Sequence, residues 1–114
     1  MGVFRLFTND DGKSQVEELD LASHPDLTRA TATQHIFFRQ WEPGHFIDWH
    51  PAPRRQYIVS LSGIVDVGFE DGTTHRFLPG DARLVEDTTG KGHTTSVPGA
   101  PNDEPVVTAV IPLT

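Results

Sequence analysis

The chain has 114 residues, 36% hydrophobic and 22% charged, which suits one globular core and argues against both disorder and a second domain. Nine Lys and Arg against 16 Asp and Glu give a net charge of −7, so a nucleic-acid partner is not expected. The absence of Cys removes disulfides, zinc–thiolate sites, iron–sulfur clusters and thiol nucleophiles.

Ten Gly and nine Pro break the chain at short intervals, and the stretches between them are rich in Val, Ile, Phe and Thr. That pattern predicts many short strands joined by turns. Val3 to Thr8 reads as a first strand, Asn9-Asp10-Asp11-Gly12 as a turn, and Gln15 to Leu21 as a second strand. Ser23 to Leu27 reads as a loop or one helical turn. Thr33 to Trp41 is predicted as a long strand, Glu42-Pro43-Gly44 as a turn, and His45 to His50 as extended. Pro51 and Pro53 interrupt pairing. Gln56 to Ser62 is a strand, and Ile64 to Glu70 follows with Val65, Val67 and Phe69 alternating against Asp66, Gly68 and Glu70. Asp71-Gly72 signals a hairpin into Thr73 to Leu78. Ala82 to Val85, His93 to Val97 and Val106 to Leu113 complete the set. The expectation is one all-β domain over residues 1–114, with nine to eleven short antiparallel strands in a sandwich or barrel. No apolar run approaches the ~20 residues of a membrane span. The first residues also lack the basic stretch and apolar core of a secretory signal, so no membrane and a cytoplasmic setting are expected.

Chemistry gathers around a few polar groups. Asp48 and His50 lie two apart on an extended segment, so period-2 geometry puts them on one face with Phe46. Ile47 and Trp49 are then expected on the other face. Gln56 and His93 each open a strand, and a closed sheet brings such strands around one interior. Two imidazoles converging there suit either a divalent metal or acid–base work near neutral pH. Phe46, Asp48 and Gln56 are the expected pocket residues, and His50 and His93 the expected catalytic pair.

These residues fall on a recognisable spacing. Gly44, five residues, His50, one residue, Ala52, three residues, Gln56, six residues, Gly63 resembles the first motif of the cupin superfamily (RmlC-like) at every interval. In that motif a second His stands where this chain has Ala52, and Glu where it has Gln56. The turn Pro79-Gly80-Asp81 and the later Gly90, two residues, His93 resemble the second motif, with Glu86 where Pro is usual and two extra residues between. The resemblance spans Thr33 to Leu113. The segments 48–56 and 86–93 are similar to those of a group of small, uncharacterised bacterial cupins. The resemblance implies a cupin-type double-stranded β-helix, a jelly-roll barrel, with an interior pocket for a small-molecule ligand.

It also implies one divalent transition metal (Fe, Mn, Zn or Ni), held by His50, Gln56 and His93. Such a site is weakened, because an amide replaces a carboxylate and Ala52 donates nothing. Asp48 or Glu86 are the candidates to restore a carboxylate. The alternatives are a metal-free pocket in which His50 and His93 move protons on a small polar metabolite, as in dehydration or isomerisation, and a non-catalytic interaction module. Arg54 and Arg55 are expected in surface ion pairs, Tyr57 facing away from the pocket, and Phe37, Phe38 and Trp41 in packing. His35 is a weaker pocket candidate. The apolar residues Val3, Phe4, Leu6 and Phe7 suggest a homodimer in which residues 1–22 pack on, or exchange with, a second subunit.

Overall fold

Strands whose every second side chain is apolar bury one face and leave the other to solvent, and that rule builds most of this molecule. The computed structural model describes residues 1–99 and 103–114. Ten strands occur among them: β1 (Val3–Thr8), β2 (Ser14–Leu19), β3 (Phe37–Trp41), β4 (Phe46–His50), β5 (Gln56–Ser62), β6 (Val65–Gly68), β7 (Thr74–Phe77), β8 (Ala82–Val85), β9 (His93–Ser96) and β10 (Val106–Pro112). They form a six-stranded sheet in the order β2-β1-β8-β5-β10-β3 and a four-stranded sheet in the order β4-β9-β6-β7.

The short turns do what their residues predict. Gly72 takes φ +88°, and Asp71 accepts from the Thr73 backbone N–H at 2.9 Å, closing the β6–β7 hairpin. Asn9 accepts from the backbone N–H groups of Asp11 (2.9 Å) and Lys13 (3.0 Å), fixing the β1–β2 turn. Two features depart from expectation. The pairing is not antiparallel throughout, because β1 runs parallel to β8, with Val3 beside Ala82 and Leu6 beside Val85. The long strand expected over 33–41 shortens to β3, leaving a single bridge between Thr33 and Leu113. Before it lie two single 3-10 turns, Leu21–Ser23 and Pro25–Thr28, the first capped by the Asp20 carboxylate on the Ala22 N–H at 3.1 Å.

The core lies between the sheets. Phe77 and Val110 are fully buried, and Leu6, Val65, Val67 and Val106 are 1% exposed. Each such side chain contributes about 1.5–3 kcal/mol relative to exposure. Phe4 and Leu6 belong to this same core, so half of the apolar N-terminus that suggested a partner surface is absorbed by the chain's own interior. The aromatics expected in packing divide differently. Trp41 packs against the core, whereas Phe37 and Phe38 (67%) are exposed on β3; Phe46 (58%), expected at the pocket, is exposed likewise on β4, and both strands end their sheets.

Candidate functional site

A cavity of about 290 Å³ opens between the two sheets. Its walls come from both: Leu6, Arg39, Trp41, Gln56, Ile58, Arg83 and Val85 on the six-stranded side, and Ile47, His50, Val67, His93 and Thr95 on the other, with residues 51–53 at one edge. Its size lies at the lower end of small-molecule sites, which start near ~300 Å³.

His50 and His93 meet here. They are register partners across β4 and β9, and their ring centroids are 4.7 Å apart. The approach depends on Gly92, which has φ +81°. A Cβ there would overlap the His50 carbonyl and the Pro51 nitrogen, so only glycine lets β9 begin this close to the end of β4. His50 Nδ1 bonds the Asp48 backbone carbonyl at 2.7 Å, which puts the ring proton on Nδ1 and leaves Nε2 as the free nitrogen.

His93 is buried, and its Nδ1 lies 2.5 Å from Oδ2 of Asp87, which is wholly buried. Ser14 Oγ donates to the same oxygen at 2.6 Å. The Asp87 backbone carbonyl accepts from the Ala52 N–H at 2.9 Å, tying the 51–53 segment to this residue. Among the described residues Asp87 Oδ1 is buried without a partner, so one carboxylate faces one imidazole and one hydroxyl with little else there to share its charge. Neither Asp87 nor Ser14 is among the site residues expected from the sequence, although Asp87 lies in the 86–93 segment. The available signal was phase: Arg83, Val85 and Asp87 are spaced by two from β8 onward, and all three are buried.

The structure sorts the other candidates. Gln56 is 4% exposed and lines the cavity, with Oε1 accepting from Arg54 Nη1 at 3.0 Å. Phe46 and Asp48 do not line it. The cause is a β-bulge: Ile47 pairs with Thr95 and His50 with His93, so three steps on β4 match two on β9. The extra residue reverses the phase, placing Ile47 with His50 inside and Phe46 and Asp48 outside. Asp48 therefore reaches His50 only through its backbone, and its carboxylate caps the Trp49 N–H at 2.9 Å. Glu86 turns away as well. It accepts from Arg5 Nε and Arg55 Nε, both at 2.7 Å. Burial opposes its charge, but these two hydrogen bonds win and hold its pKa below the ordinary carboxylate value. Tyr57 faces a groove on the outer side, and His35 is exposed beside Phe37, outside the cavity walls. Lys91 lies over the Trp49 ring at 4.5 Å.

Two arginines complete the walls. Arg83 is 3% exposed, and burial, followed by the charge of Arg39, pushes its pKa down to about 10 against a smaller opposing pull from Asp81. Arg39 is lowered too, by burial and then by Arg54. The pocket is thus apolar with a positive side, and two imidazoles stand opposite.

A resident dication does not fit this donor set. Both imidazoles are keyed through Nδ1, as metal-bound histidines usually are. The second and third ligand positions of the motifs, Ala52 and Gln56, however, give a methyl group and an amide oxygen already engaged by Arg54. Among the described residues no three His, Asp or Glu gather as a ligand group. The nearest charges in the walls are cationic.

No family model matches the chain, and no curated protein matches it. Solved structures do. A conserved protein of unknown function from Streptococcus pyogenes aligns with TM-score 0.52 and 18% identity, covering 69% of this chain and 62% of that one. The chain thus spans less than two thirds of that protein's length. A cupin domain from Bordetella pertussis Tohama I aligns with TM-score 0.51 and 18% identity, covering 69% and 79%. A protein from Neisseria meningitidis aligns with TM-score 0.50 and 16% identity, covering 86% and 100%. With its two sheets closed around a pocket, the chain has the cupin fold. Among the described residues, no helix is long and apolar enough to cross a membrane.

Proposed function

We propose that this chain is a small-molecule cupin whose pocket moves protons without a resident metal. The observation that carries the reading is the buried Asp87–His93 contact of 2.5 Å, with His50 facing it. The Asp87 carboxylate fixes the His93 tautomer with the proton on Nδ1, so Nε2 presents its lone pair to the cavity. When Nε2 takes a proton from a ligand carbon, the resulting imidazolium sits against a carboxylate already oriented by Ser14. His93 then gives that proton back to a second position of the same ligand, or to a departing hydroxyl in a dehydration, while His50, keyed by the Asp48 carbonyl, accepts a hydrogen bond from the ligand through Nε2 and orients it. Isomerisation, epimerisation or dehydration beside a carbonyl group is the chemistry such a pair performs. The apolar walls, with Leu6, Trp41, Ile47 and Val67, strengthen these charge interactions by excluding water. A cytoplasmic setting and a homodimer belong to the same proposal. The exposed Phe38 and Phe46 offer the pairing surface, and light scattering of a Phe38→Asp variant tests it.

The test is carbon-bound hydrogen exchange in D2O, followed by NMR over small hydroxy acids, keto acids and sugars. Exchange by the wild type and its loss in His93→Gln support the reading. No exchange on any compound, or equal exchange by His93→Gln, overturns it. Elemental analysis of untagged protein runs beside it, and about one transition metal per chain, lost in His50→Ala, overturns the metal-free part.

A further inference from the structure

The arginines of this chain divide into two sets. Arg5, Arg29, Arg55 and Arg76 each hold a carboxylate, at 2.7, 3.0, 2.7 and 2.8 Å. Arg39, Arg54 and Arg83 hold none among the described residues; Arg39 and Arg83 line the cavity, and Arg54 bonds Gln56, which lines it. In a chain of net charge −7, carboxylates are not scarce. Two of these three guanidinium groups lie in the cavity wall.

Two of them are in poor company as the protein stands. Arg83 is 3% exposed, and its polar contact is Ser60 Oγ at 3.5 Å, with the Phe77 ring 4.6 Å beneath it. A guanidinium has five N–H donors, so most of its capacity is unused. Arg39 stacks on Trp41 at 4.5 Å, and its Nε is buried with no acceptor among the described residues. Two like charges beside one apolar cavity oppose folding unless something compensates them. Their neighbours Thr108 and Ser60 are neutral, and Asp81 is occupied by the Gly2 and Leu78 backbone N–H groups at 2.9 and 2.8 Å.

We infer that Arg39 and Arg83 are the receptor for an oxyanion on the ligand, so that the cavity takes a small organic acid. The six-stranded sheet supplies both arginines, from β3 and β8, and the four-stranded sheet supplies both histidines, from β4 and β9. The ligand is therefore held by its anionic end against one sheet and presents its reactive carbon to the other. Arg54 stays outside the lining and orients Gln56. A carboxylate and a phosphate ester share this recognition chemistry, through bidentate N–H···O bonds. This assignment rests on the proton-transfer reading only for which end of the ligand reacts; anion binding stands by itself.

The experiment is thermal unfolding in low-chloride buffer with lactate, malonate, inorganic phosphate, or neutral lactamide as probes. The variants are Arg83→Met, Arg39→Gln and His93→Gln. The expected result is a rise in Tm for wild type with an acid, none with lactamide, and an apparent Kd at least about tenfold weaker in Arg83→Met and Arg39→Gln. Whichever of the carboxylates and phosphate stabilises more identifies the group. Ligand-free Arg83→Met is expected to melt at or above the wild-type temperature, because a buried charge has gone; a structural arginine would show the opposite sign. His93→Gln is expected to keep the anion response. Anion binding without hydrogen exchange leaves this inference standing and sinks the acid–base reading. Exchange on neutral compounds with no anion response does the reverse. Equal stabilisation of wild type and Arg83→Met, or no response to any anion, overturns the inference.

Discussion

Gly92→Ala asks whether the close approach of β9 to β4 sets the histidine pair. Gly92 has φ +81°, and an alanine pays about 1–2 kcal/mol for that conformation, less about 0.4–1 kcal/mol gained by stiffening the unfolded chain. It also meets the His50 carbonyl and the Pro51 nitrogen, which are backbone atoms and cannot rotate aside. The strands must part by about 1 Å or more to restore van der Waals contact near ~3.5 Å. Overpacking of that kind costs about 1–3 kcal/mol further. Gly72→Ala is the matched control, because Gly72 has φ +88° and nothing lies within 4 Å of its added Cβ. The difference between the two variants isolates the clash. At about 4 °C per kcal/mol for a domain of this size, Gly92→Ala should melt roughly 4–12 °C below Gly72→Ala. A shift of 1 Å at reacting groups lowers rate by ~100-fold, so hydrogen exchange should fall by about that factor in Gly92→Ala alone. Differential scanning calorimetry and NOEs between the His50 and His93 rings measure both effects. Equal melting temperatures with the ring NOEs retained would refute the argument.

Three further outcomes are expected. Asp87→Asn should lose about 10²–10⁴-fold of hydrogen exchange and about 1–3 kcal/mol of stability, and long-range ¹⁵N spectra should show the His93 tautomer no longer fixed; an unchanged tautomer would demote Asp87 to packing. Glu86 has a folded-state pKa below its ordinary value of 4.5, so its contribution to stability is present above that value and disappears as pH falls through the lower one. Glu86→Gln should therefore flatten the acid limb of urea-unfolding stability as pH falls below 4.5, and an unaltered limb would count against the Arg5–Glu86–Arg55 bridge. The double variant Ala52→His, Gln56→Glu restores the two missing donors of the cupin motif and should retain a transition metal in elemental analysis; no gain over wild type would mean that donor chemistry is not what the site lacks.

Local signals carried much of the architecture. Val3–Thr8, Gln56–Ser62 and Ala82–Val85 could be bounded from sequence because β-formers there are flanked by turn residues. Motif spacing also placed His50, Gln56 and His93 on one cavity. Phase arithmetic failed within β4, because it assumes an unbroken ladder and a bulge is invisible in composition. Asp87 and the arginines were missed for another reason. Carboxylates and guanidinium groups default to solvent, and only continuing the β8 phase through Arg83, Val85 and Asp87, or the β3 phase through Phe37, Arg39 and Trp41, points them inward. Ser14 is 73 residues from Asp87 and reaches it through strand pairing, which no local window contains. The parallel β1–β8 pairing is likewise a property of the closed sheet.

That pairing bears on how the protein assembles. Gly2 and Asp81 bond across 79 residues, and the β1–β2 hairpin enters the sheet beside β8 with no local contacts to guide it. Contacts of such sequence separation place folding in the slow range of milliseconds to seconds. The histidine pair itself is built by β4 and β9 and needs nothing from the hairpin, so β3 to β10 without β1 and β2 would still bring both rings together. That remainder lacks the Leu6 wall, however, and leaves Asp87 wet on the side that Ser14 seals. The N-terminal hairpin is therefore a stopper, and its docking is what dries the Asp87 carboxylate.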